Sequence, residues 1–102
     1  MAPEIVIRDE PERSRFSAEL SGNVAWVSYV IGEAAVRFVD MDIPGELVSR
    51  GVATQLARVA LAEARVRGWL VEPGCSLFLD YMRAHPETHD LLSPEGGRML
   101  RR

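Results

Sequence analysis

Two short runs rich in valine and aromatic residues, 35–41 and 69–72, flank one long stretch, 49–68, in which Ala, Leu and Arg dominate. Val52, Leu56, Val59, Ala60 and Ala64 fall on one stripe at helical spacing, with Gln55, Arg58 and Arg65 opposite. A strand, a helix of this length and a second strand form a unit whose second strand returns parallel to the first, by a right-handed crossover. That unit constrains the fold more than any other feature. It puts the start of the helix, 49–53, at the carboxyl end of the first strand, and Cys75 just past the carboxyl end of the second. Ligands of such sheets bind outside those carboxyl ends.

The segments before the crossover read as antiparallel strands. Residues 16–20 alternate, with Phe16, Ala18 and Leu20 on one side, and Ser21-Gly22-Asn23 supplies a hairpin turn. Residues 24–31 form a central strand, Gly32-Glu33 a second turn, and 35–41 a strand ended by Pro44-Gly45. Residues 9–15, polar and broken by Pro11, read as a connection. Residues 75–84 return to helical spacing, closed by His85-Pro86. The expected organisation is one domain over 1–92 and a flexible tail over 93–102, where Ser93-Pro94-Glu95-Gly96-Gly97 reads as loose.

A chain of 102 residues with 47% hydrophobic and 26% charged residues carries one small core. No apolar run approaches the ~20 residues of a membrane span, and the first residues do not read as a secretory leader. One cysteine suits a reducing compartment, and a cytoplasmic location is expected. A net charge of −3 argues against a nucleic-acid partner. The charge is uneven: residues 1–47 carry −5 and residues 48–102 carry +2, a tilt that suits a small phosphorylated ligand near the crossover.

Three features bear on chemistry. The turn Arg50-Gly51-Val52-Ala53 precedes a helix whose first amides are unbonded and carry part of a positive charge, a seat for phosphate; its plainer role is a tight helix entry. The phosphate-loop ending Gly-Lys-Ser/Thr is absent. Cys75 is by default a small buried hydrophobe, but a place before a helix would lower its thiol pKa and favour thiolate. A continuous helix holds His85 ~15 Å away, too far to be its base, and two histidines with one cysteine lack zinc-ligand spacing. Asp40 and Asp42, at the third strand's end, are either solvated or a base or polar anchor at the proposed edge.

Together, "DEPERSRFSAEL", "FVDMDIPGELVSRGVATQLARVALAEARVRGWLVEPGCS" and "YMRAHPETHDLL" carry a resemblance that runs from about Arg8 to Leu92. The order Pro-x-x-x-x-x-Arg-Gly-x-Ala, Pro-x-Cys-Ser, Tyr-x-x-x-His-Pro-Glu resembles the minimal Gcn5-related N-acetyltransferase-like proteins. The resemblance implies an α+β fold of minimal acetyltransferase type, with a mixed, mostly antiparallel sheet, a parallel strand-helix-strand unit and a C-terminal helix. It implies acetyl-coenzyme A or coenzyme A as ligand. The pyrophosphate would rest on Ser49, Arg50, Gly51, Val52, Ala53 and Thr54, and the pantetheine arm on Met41, Asp42 and Ile43. Cys75 would lie near the thioester as nucleophile or acyl carrier, with Asp40 the second catalytic candidate.

Asp40-Met41 departs from the His-Thr that the family usually shows, and a carboxylate there opposes thiolate formation. Val48 replaces a polar residue, and Thr88 a tyrosine. The resulting expectation is that coenzyme binding survives better than catalysis. Two readings follow: an N-acetyltransferase acting on an unidentified amine, small molecule or protein, and a non-catalytic coenzyme A-binding or protein-interaction module. A monomer or weak dimer is expected.

Overall fold

The computed structural model describes residues 5–48 and 50–102. One sheet holds five strands in chain order: β1 Val6–Glu10, β2 Arg15–Leu20, β3 Asn23–Ile31, β4 Val36–Asp42 and β5 Val71–Pro73. The first three junctions are antiparallel and β4–β5 is parallel. The helices are α1 Gly45–Val48, α2 Val52–Arg67, α3 Ser76–Ala84 and α4 Pro94–Arg101. This is the α+β architecture expected, with α2 as the crossover.

Local chemistry explains the joints. Ser21 and Gly22 both have positive φ, 52° and 80°, the geometry of a two-residue type I′ hairpin, and Leu20 faces Asn23 across it. Gly68, φ 70°, closes α2 in a Schellman motif. There Trp69 N–H reaches the Ala64 carbonyl at 2.8 Å and Gly68 N–H the Arg65 carbonyl at 3.2 Å.

α2 lays Val52, Leu56, Ala57, Ala60, Leu61 and Ala64, all buried, on the inner face of the sheet against Phe16, Val27 and Phe38. Each fully buried leucine here is worth ~1.5–3 kcal/mol relative to exposure. α3 adds Phe78, whose ring stacks on Phe38 at 4.0 Å between centroids. Both helices therefore pack on one face, while the outward side chains of β3, Val24, Trp26, Ser28 and Val30, stay half-buried to exposed.

Two segments differ from expectation. β1, whose end lies in the stretch read as a connection, pairs with β2 from Val6↔Glu19 to Glu10↔Arg15. It tolerates an inward acid because Asp9 accepts from the buried Tyr29 hydroxyl (2.9 Å) and from Arg67 (2.6 Å). The tail read as flexible forms α4. Ser93 caps it, its Oγ accepting from Gly96 N–H at 2.9 Å, and Pro94 fits the first helical position. Ser93 N–H also bonds the Val71 carbonyl, and Gly96 lies so close to that carbonyl that a Cβ would collide with it. Close packing on β5 demands the glycine that reads as looseness in the sequence.

Candidate functional site

The site is built where β4 and β5 part. Their ladder runs Val36↔Val71, Arg37↔Glu72, Phe38↔Pro73 and ends there, while β4 continues beside β3 to Asp42. At the same level the β3–β4 register shifts: Ser28 faces Asp40 and Tyr29 faces Phe38, so Val39 is an extra residue. Such a bulge bends its strand and increases the local twist. It also changes the pleat: Val36 and Phe38 are buried, Val39 and Asp40 are both exposed, and Met41 turns inward again. Beyond Phe38 the outer edge of β4 has no strand partner among the described residues.

On the β5 side Gly74 turns the chain against Phe38, leading to Cys75 at the entry of α3. Beyond the end of β4, α1 leads to Gly51, the residue before α2, with φ 73° and ψ 16°. Glycine is needed there for the left-handed backbone. It is not crowded: a Cβ at Gly51 would meet no atom within 4 Å, so the space around the turn is open. Gly51 offers no side-chain cap to the first-turn amides of α2. Ser49, grouped with this turn in the sequence, lies outside the described residues.

Thr54, in the first turn of α2, lines a cavity of about 260 Å³ together with Leu77, Asp80, Tyr81, Ala84 and His85 of the α3 segment. The start of the crossover helix and the helix after Cys75 thus share one recess. Leu77 and Ala84 were not singled out from the sequence, although with Tyr81 of the quoted motif their i, i+4, i+7 spacing marks one face of α3. Tyr81 and His85 stack at 4.0 Å. His85 Nδ1 and His89 Nε2 donate to the carbonyls of Tyr81 (2.7 Å) and Met82 (2.6 Å), finishing α3. No group of three His, Cys, Asp or Glu suited to a metal occurs among the described residues.

Of the two expectations for Cys75, a buried hydrophobe and a helix-activated thiolate, its surroundings oppose the second. Its thiol is pushed above the ordinary range, because burial disfavours the thiolate; the amides of Phe78 and Leu77 act the other way, and the Asp40 carboxylate adds to the rise. The side chain packs against the core, so desolvation outweighs the helix start. Asp40 itself is exposed, on the face opposite the helices, and accepts from Met41 N–H at 2.9 Å. Met41 and Ile43 are half-buried against the core, and Asp42 is exposed.

Among the described residues, no helix is long and apolar enough to cross a membrane. No curated protein and no solved structure matches the chain. A family model described as GCN5-related N-acetyl-transferase matches residues 15–91, from the start of β2 through the turn after α3. The match takes in the parted strands, the Gly51 turn and Cys75, and leaves β1 and α4 outside. With most of its length accounted for in this way, the chain belongs to the GCN5-related N-acetyl-transferase family.

Proposed function

We propose that this protein binds acetyl-coenzyme A in the opening between β4 and β5 and transfers the acetyl group to an amine. The observation that carries the reading is the parting of the two parallel strands after Phe38 and Pro73, with the Gly51 turn beyond the end of β4 and Cys75 beyond the end of β5. The residues fit such a ligand in two respects. The open space at Gly51 admits a phosphate group to the amides of Val52, Ala53 and Thr54, with Arg50 next to the glycine in the chain. The unpartnered edge of β4 offers Met41 and Asp42, with Ile43 just past the strand, to an extended amide chain, as one more strand would pair there.

When bound, the coenzyme supplies an acetyl thioester. Asp40 attracts the acceptor's ammonium by charge and passes its proton to solvent, leaving the free amine to attack. Cys75 fits an apolar wall beside the thioester better than a nucleophile, because burial keeps it a thiol. Transfer is then direct, without an acetyl-cysteine.

The same thiol favours a second reading, coenzyme binding without turnover. Incubation with acetyl-coenzyme A and a panel of amines, followed by thiol release and intact mass, tests both. The first reading expects amine-dependent thiol release and no acetyl adduct on Cys75. The second expects saturable binding on the order of micromolar without release. No saturable binding of coenzyme A contradicts both.

A further inference from the structure

The sheet's uncovered face carries a second feature, and it deepens the function proposed above, on which it rests. One cross-strand row runs Glu10, Arg15, Ser28, Asp40 over four strands, and the row beside it runs Arg8, Ser17, Trp26, Asp42. A cavity of about 270 Å³ lies over Arg13, Arg15, Trp26 and Ser28. At its positive end a single carboxylate, Glu10, serves two guanidiniums, with Arg15 Nε at 2.9 Å and Arg13 Nε at 3.9 Å. One positive charge is therefore left over.

At the β4 end of the two rows Asp40 and Asp42 are exposed, and neither pairs with a cation among the described residues. Asp40 stands next to the bulge where β4 leaves β5. Between the charged ends lies half-buried Trp26. β2 and β4 are two strand spacings apart, ~10 Å, and the long arginine side chains shorten that gap to the length of a small amino acid.

We infer that this groove is the acceptor site and that the acceptor is an aminocarboxylate with an apolar side chain. Its carboxylate meets Arg13 and Arg15, in the paired geometry that guanidinium favours. Its apolar body lies on Trp26, and its ammonium points along the row to Asp40, toward the opening between the strands. The amine nitrogen forms the new bond to the acetyl carbon, and the carbon–sulfur bond breaks. One ammonium proton goes to solvent by way of Asp40 before attack; a second leaves the nitrogen as the amide forms and is taken up by the departing thiolate.

The test has two parts. Calorimetry with coenzyme A alone measures whether the coenzyme binds. L-phenylalanine, 2-phenylethylamine (no carboxylate) and 3-phenylpropionate (no amine) are then titrated into the coenzyme A-saturated protein, with tryptophan fluorescence as readout. L-phenylalanine is expected to bind at least tenfold more tightly than either analogue. The double variant Arg13→Ala, Arg15→Gln is expected to bind coenzyme A as wild type does, which shows it folded, and to lose that preference over 2-phenylethylamine. Coenzyme binding with the three probes held equally, or not held at all, overturns the acceptor assignment and leaves the coenzyme reading in place. Preference unchanged in the double variant overturns it too. Failure to bind coenzyme A overturns both.

Discussion

Gly74 lies against the carbonyl oxygen of Phe38: a Cβ at position 74 would stand 2.5 Å from that oxygen and 3.2 Å from Cγ of Arg37. The contact joins the last residue pair of the parallel ladder to the turn that begins α3. It fixes where the two strands part, and hence the shape of the opening.

Gly74→Ala is expected to destabilise by about 1–3 kcal/mol, since backbone must move to admit the methyl group. For a domain of this size each kcal/mol lowers Tm by about 4–8 °C. Gly45→Ala is the control, as a Cβ there meets nothing within 4 Å. Equal Tm values for the two variants would contradict the contact.

The Cys75 thiol gives a prediction in pH. Thiolate is the reactive form, and burial, with Asp40, holds the thiol above its ordinary range. The alkylation rate with iodoacetamide should therefore rise with a midpoint above about 8.5, the value of a free cysteine. Asp40→Asn should move that midpoint down. A wild-type midpoint below that of free cysteine would restore the activated thiolate.

Ser93→Ala removes the cap of α4 and is expected to cost about 0.5–2 kcal/mol in urea unfolding. A loose tail would predict no change. The tail shows where the sequence misleads. Ser93 followed by Pro94 is a helix start written in plain residues, but Gly96-Gly97 outweighs it until the close approach to Val71 is seen.

Other parts were legible for definite reasons. The Ser21-Gly22 hairpin needs positive φ, and the crossover follows from helical spacing between two strands. β1 was hidden because Asp9 and Glu10 look like linker, and only the third dimension supplies Tyr29 and Arg67 to Asp9. At the site, Gly51 could be read from its place before the helix. The bulge at Val39 could not, because two consecutive exposed residues carry no signal until β3 is laid beside them. For Cys75 the sequence offers both a buried hydrophobe and a helix-activated thiolate, and only the packing decides that burial outweighs the helix start.

The Asp9 network gives a prediction in alkali. Tyr29 is pushed up to about 12, first by burial and then by its bond to Asp9. An unfolded tyrosine loses its proton near 10, so the folded state holds it longer. The stabilisation is full below pH 10 and is lost as pH rises to about 12. Tyr29→Phe should flatten the fall in stability over that window, measured by urea unfolding at stepped pH. An unchanged slope would contradict the assignment.

The most direct test of the coenzyme site is thermal unfolding with and without coenzyme A, for wild type, Gly51→Ala and Gly51→Trp. Both substitutions carry the strain of a positive φ, but only tryptophan fills the open space at the turn. Ligand at ~100 Kd adds ~2.7 kcal/mol. Stabilisation of wild type and Gly51→Ala, absent in Gly51→Trp, is the predicted result. Equal stabilisation of all three would put the coenzyme elsewhere, and none in wild type would contradict the site altogether.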